Sequence, residues 1–93
     1  MQNNPERYRG KRALILTRVS TPKQEEKYSH AAQLRQVREK LIIPLGLRIV
    51  DEKKHIIHDT YSGLEYRYRK ALEDILEMAE RQEFDVLCTF LRI

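Results

Sequence analysis

Ala13-Leu14-Ile15-Leu16-Thr17-Arg18-Val19-Ser20-Thr21-Pro22 is the stretch on which the reading of this chain turns. Its first four residues are continuously apolar, and Thr17 to Val19 extend the run. A short, unbroken hydrophobic segment of this kind suits a strand buried on both faces, as in a parallel sheet covered by helices. Ser20-Thr21-Pro22 ends the strand, since proline has no amide hydrogen to give to a ladder. Gln24 to Lys27 then reads as a charged loop.

Beyond that loop the pattern changes period. Ala31, Leu34, Val37 and Leu41 follow the three-and-four spacing of one buried helical face, with Ser29 placed to cap it. Pro44 and Gly46 close the helix, Gly46 supplying a left-handed turn. Leu47 to Asp51 reads as a second strand, and Glu52 to Ser62, which is polar around Ile56-Ile57, as a loop or weak extended piece. A second helix is expected from about Tyr68 to Arg81, with Leu72, Ile75, Leu76 and Ala79 on its stripe. Val86 to Leu91 reads as a third strand.

Strand, helix, strand, helix, strand is the order of an α/β fold with a mainly parallel sheet flanked by helices. Ligands in such sheets bind at the carboxyl ends of the strands. Ser20 and the polar stretch around Asp59 are therefore expected to meet at one edge of the sheet. The sequence stops just after the third strand, so the expected domain is truncated there.

The chain has 93 residues, 41% of them hydrophobic and 34% charged, as expected of one small globular domain or a piece of one. Its apolar runs are far shorter than the ~20 residues that cross a bilayer, and no leader-like segment opens it, so a cytoplasmic location away from membranes is expected. The single cysteine, Cys88, lies in an apolar run and reads as a buried reduced thiol. Most of the net charge of +4 belongs to residues 1–12, which carry +3. Residues 1–11 read as a flexible basic arm, either touching phosphates or simply solvated. His55 and His58 are three apart, but no acidic or cysteine partner stands at standard zinc spacing, so no metal is expected. No Gly-rich phosphate loop appears, and no cofactor is expected.

The chemistry-bearing segment is Thr17 to Gln24. Side chains alternate along a strand, so Arg18 and Ser20 project to the same side. A guanidinium beside a hydroxyl suits a phosphodiester, because planar arginine donors stabilise the charge that spreads over the non-bridging oxygens during displacement.

Arg18-Val19-Ser20-Thr21 with Gln24, then Asp59-Thr60-Tyr61-Ser62-Gly63, then Arg69 leading into a helix, resemble the resolvase/invertase family of serine site-specific recombinases. Tyr28-Ser29-His30-Ala31-Ala32-Gln33 resembles the segment that follows the serine in the large members, and Glu83 to Leu87 resembles the family's entry to its third strand. The resemblance runs from about Arg12 to Leu91 and implies that residues 12–93 are a partial catalytic domain, its C-terminal part and DNA-binding domain not included. It implies metal-free DNA strand transfer, with Ser20 attacking the scissile phosphate to form a 5′-phosphoserine link. Covalent storage of the phosphodiester bond explains why no ATP site is needed.

The resemblance also distributes roles. Arg18 would clamp the phosphate, Gln24 would order the serine's loop, and Asp59 and Ser62 would join the same cluster. Arg69 would be a second phosphate arginine, with Arg67 as the alternative, because the family's usual position falls on Tyr68. The family's Asp-Arg-x-x-Arg stretch after the third strand is not present before Leu91-Arg92-Ile93, so these residues alone are expected to be inactive. The implied partner is double-stranded DNA, with dimers or tetramers in the longer parent, whether resolvase, invertase, transposase or integrase.

Two other readings stand beside this one. A non-catalytic nucleic-acid-binding module would use the basic arm and the Tyr61, Tyr66 and Tyr68 loop with Arg67 and Arg69. A regulatory α/β domain would show no salt-dependent DNA affinity.

Overall fold

The computed structural model describes residues 5–19, 29–60 and 65–90. Among these, three strands form one parallel sheet: β1 (Ala13–Val19), β2 (Ile56–Thr60) and β3 (Val86–Thr89), in the order β2-β1-β3. β1 is the central strand, and it is also the most deeply buried. Leu14 and Ile15 are fully buried, each worth about 2–3 kcal/mol of apolar transfer.

The alternation of β1 divides the core into two layers. Ala13, Ile15 and, across the sheet, Cys88 pack with Val37, Ile42 and Leu47 on one face. Leu14 and Leu16 pack with Ile75 and Met78 on the other. The first face carries helix α1 (His30–Val37), which continues through a π-turn (Arg38–Ile42) into a short α2 (Ile43–Leu45). The second face carries α3 (Glu65–Glu80). Helices on opposite faces follow from this strand order, because the crossover from β1 to β2 and the crossover from β2 to β3 run in opposite directions across the sheet and both are right-handed. Cys88 is buried, and burial pushes its thiol up from the ordinary value.

The ends of the first helical rod behave as the sequence suggests. Ser29 has an extended backbone, and its Oγ accepts the Ala32 amide at 3.2 Å. At the far end Gly46 sits at φ 69°, ψ 27°. Its amide bonds to the Ile43 carbonyl and the Leu47 amide to the Ile42 carbonyl, the paired pattern of a Schellman stop. The intervening π-turn was not foreseen. It adds a residue to the turn just before Pro44, a ring that would otherwise meet the carbonyl four residues back. It also shifts the phase of the buried face. Ala32, Gln33, Val37 and Ile42 are buried, Leu34 and Leu41 only partly, and Ala31 is exposed.

Three further expectations are corrected. The second strand is Ile56–Thr60, not Leu47 to Asp51. Arg48 makes only an isolated bridge to Arg12, and the chain turns at Asp51, whose carboxylate accepts the Lys53 and Lys54 amides. Such an Asx turn competes directly with strand continuation. α3 begins at Glu65, and its buried stripe is Ala71, Ile75 and Met78, while Leu76 is 62% exposed and Ala79 is exposed. Both stripes have helical spacing, and the sheet selects the one rotated towards Leu14 and Leu16. β3 ends at Thr89; Leu91 lies outside the described residues.

The N-terminal segment docks from Pro5 onward. A short 3-10 turn (Pro5–Arg7) leads to Gly10, whose amide bonds to the Gly46 carbonyl at 2.7 Å. Arg12 then fixes the start of β1 to the start of β3. The two Asp85 oxygens accept the Arg12 amide and two guanidinium N–H groups, at 2.9–3.1 Å. These bonds hold the Asp85 carboxyl well below the usual carboxylate range.

Candidate active site

Arg18 and Asp59 stand side by side at the carboxyl ends of β1 and β2, as register partners in the parallel ladder. Arg18 Nε donates to Asp59 Oδ2 at 3.0 Å. The carboxylate is nearly buried, with 9% of its side chain exposed against 34% for the arginine, so the pair runs from the sheet towards solvent. Both residues lie on the α3 face, because Arg18 continues the Leu14–Leu16 alternation. A guanidinium oriented by one carboxylate keeps the planar, multi-donor character suited to phosphate oxygens. Asp59 is thus in β2 itself, not in the loop after it.

Gln33, from the second turn of α1, holds the backbone of the same arginine. Its Oε1 accepts the Arg18 amide at 3.0 Å, and its Nε2 donates to the Arg18 carbonyl at 2.6 Å. The direction of these groups explains the contact. Odd residues of β1 turn their amides towards the β2 side, as Ile15 does towards the His55 carbonyl and Ala13 towards the Arg48 carbonyl. Even residues therefore face β3, whose pairing stops at Leu16 with Thr89. The Thr89 hydroxyl donates to the Leu16 carbonyl at 3.0 Å, and the Gln33 amide takes the next rung. One side-chain amide replaces the missing strand.

A second polar cluster lies on the α1 face. Thr17, fully buried, places its Oγ1 2.7 Å from Nδ1 of His30 and 2.6 Å from Nδ1 of His58. The two imidazoles are tilted at 46°, with centroids 4.8 Å apart. Burial first, and then the His58 charge, push His30 below the ordinary histidine value, with Asp59 pulling the other way. His55 is not part of this cluster. It is buried on the opposite side, its Nε2 3.6 Å from Glu83, which Lys54 also meets at 2.7 Å. That carboxylate is held below its ordinary value, chiefly by Lys54.

Of the candidate site residues, the structure brings Arg18 and Asp59 together. Ser20, Gln24 and Ser62 lie outside the described residues. Arg67 and Arg69 fall in the first turns of α3, on the Arg18 face of the sheet, with their side chains outside the description. Sequence reasoning missed Gln33 and His30, which look like ordinary helix positions, and Thr17, which looks like strand filler. The available signal was the polarity of Thr17, His58 and Asp59 inside segments otherwise built for burial. Among the described residues no group of three or more histidine, cysteine or carboxylate side chains gathers as a metal site, and no helix is long and apolar enough to cross a membrane.

Comparison with known proteins adds one finding. A family model described as "Resolvase, N terminal domain" matches residues 13–91, which spans all three strands and both faces of the sheet. No curated protein and no solved structure matches the chain.

Proposed function

This chain belongs to the resolvase N-terminal domain family, and from that membership we propose that it is the serine-bearing front part of a site-specific DNA recombinase of the large serine type. Ser20 is the nucleophile. Its Oγ bonds to the scissile phosphorus, the bond from phosphorus to the 3′ oxygen breaks, and the serine proton ends on the departing 3′ hydroxyl. The 5′-phosphoserine link conserves the bond, and attack by a 3′ hydroxyl on that link restores Ser20 and rejoins the strand. Arg18 neutralises the non-bridging oxygens, with Arg69 or Arg67 as the second cation. Gln24 orders the loop that holds the serine, and Asp59 and Ser62 belong to the same cluster.

The observation that carries this reading is the Arg18–Asp59 pair at 3.0 Å, placed at the carboxyl ends of adjacent parallel strands and two residues before Ser20. An oriented guanidinium there supplies charge stabilisation without a divalent ion. The partner is double-stranded DNA, engaged by dimers or tetramers of the longer protein.

The test therefore uses the chain within its full-length protein. Supercoiled DNA bearing candidate sites is incubated without divalent metal, and protein attached to 5′ ends is sought. We expect an adduct that disappears in Ser20→Ala and falls by about 100-fold or more in Arg18→Lys, which keeps the charge but loses the fork. An adduct surviving Ser20→Ala, or tight sequence-specific binding with no adduct at all, overturns the assignment. The second of these outcomes promotes a non-catalytic binding module.

A further inference from the structure

We propose that Thr17, His30 and His58 form a positioning clamp that tolerates one proton but not two, and that locks the backbone carrying Arg18, Asp59 and Gln33. The placement is systematic. Thr17 precedes Arg18 on β1, His58 precedes Asp59 on β2, and His30 opens the helix that presents Gln33 one turn later. One hydroxyl, buried between the helix and the sheet, joins all three elements at 2.7 and 2.6 Å. At the next residue, Gln33 from the same helix holds the Arg18 backbone and Asp59 holds its side chain on the opposite face, at 2.6–3.0 Å. A shift of any one element would break bonds in both clusters.

The proton count follows from the donor inventory. A threonine hydroxyl has one proton to give and two lone pairs. With both rings neutral, it donates to one bare Nδ1 and accepts from the Nδ1–H of the other. With one ring protonated, the pattern is unchanged, since the imidazolium donates and the neutral ring accepts. With both protonated, two Nδ1–H groups point at one oxygen, the hydroxyl proton loses its acceptor, and two cations stand 4.8 Å apart. The surroundings bear on the same balance. Asp59 from β2 favours the first proton, Arg18 from β1 is engaged with that carboxylate, and the amino end of α1 disfavours a cation at His30. One proton on the pair therefore leaves the clamp closed, and a second opens it.

The role in strand exchange rests on the recombinase reading above; the clamp itself does not. The test is a pH titration of the ¹⁵N-labelled full chain by NMR, following the histidine rings and the Arg18 Nε–H group bonded to Asp59. In the wild type we expect His30 to titrate below the ordinary histidine midpoint, with the Arg18 Nε–H signal lost over the same pH range. His58→Gln removes the facing charge at an exposed position, and should move the His30 midpoint upward. Thr17→Val keeps the strand-favouring shape but removes the hydroxyl; it should lose the Arg18 Nε–H signal at neutral pH while the spectrum stays dispersed, and Thr17→Ser should restore it. An unmoved His30 midpoint in His58→Gln, or an Arg18 signal indifferent to Thr17→Val and to histidine titration, overturns the clamp. If the clamp behaves as expected and the full-length protein forms no DNA adduct, the recombinase reading fails and the clamp stands.

Discussion

Replacing Gln33 with leucine removes both arms of the amide that occupies the rung beside Arg18. The substitution keeps most of the side-chain volume, so packing against β1 is retained and the hydrogen bonds are what is lost. Two bonds disappear, at 3.0 and 2.6 Å. A typical intramolecular bond contributes about 0.5–1.5 kcal/mol net, and a donor or acceptor left buried and unpaired costs about 1–3 kcal/mol. Gln33 is only 4% exposed, which argues for the higher cost, whereas Arg18 is half-buried and water can reach part of its backbone. Leucine recovers some of this through its own apolar burial. The balance is a loss of about 2 kcal/mol, or roughly 10 °C in Tm for a domain of this size. Urea unfolding followed by far-UV circular dichroism reads it as a lower midpoint at unchanged slope. A loss below about 0.5 kcal/mol, with the Arg18 amide resonance unmoved, would refute the view that Gln33 completes the sheet.

Acid should weaken the fold through Asp85. Its folded pKa lies below the ordinary 3.8, so its stabilisation is complete above that value and is lost as pH falls through the depressed one. Asp85→Asn should be less stable near neutral pH and should flatten the acid limb of a plot of urea midpoint against pH. His30 acts in the same direction at milder acidity. Because its folded pKa is lowered, its neutral form is favoured above the ordinary 6.5, and stability falls as pH drops below that point; His30→Gln should reduce this slope. Gly46→Ala should cost about 1–2 kcal/mol in thermal unfolding, since φ 69° disfavours a side chain and the added Cβ would meet Arg9 Cγ at 3.3 Å. Ile75→Ala should cost about 2–5 kcal/mol, because Ile75 is 5% exposed and packs beneath Leu14 and Leu16.

How much of this was legible depended on whether a residue's role was apolar or polar. β1 could be read directly, because a central strand covered on both faces needs an unbroken hydrophobic run, and Ala13 to Leu16 supply one. The caps at Ser29 and Gly46 were legible because each rests on local stereochemistry. The buried stripe of α3 was not, since Leu72 and Leu76 compete with Ala71 and Met78 at equally helical spacing, and only the facing sheet decides between them. The π-turn was hidden for a related reason: a proline inside a helix signals a disturbance, but not whether the helix ends or widens.

The most informative error is β2. Ile56-Ile57-His58-Asp59-Thr60 looks too polar for a strand beside the core, whereas Leu47 to Asp51 looks apolar enough. The structure reverses them because the polarity of β2 is satisfied residue by residue from its neighbours. His58 meets Thr17, Asp59 meets Arg18, and both partners sit directly across the ladder. Taken alone, the Asp59 carboxylate and the Thr17 hydroxyl would cost more to bury than they return. Paired, they turn the carboxyl end of the sheet into a polar surface without breaking the ladder. A strand whose pattern breaks at its carboxyl end, opposite a strand that breaks at the same height, is therefore a sign of a site and not of a loop. The break at Thr17-Arg18 and the break at His58-Asp59 coincide because the two strands share one set of contacts. The same contacts make Asp59 a buried partner of Arg18 within a strand, where the sequence pattern alone reads as a polar loop.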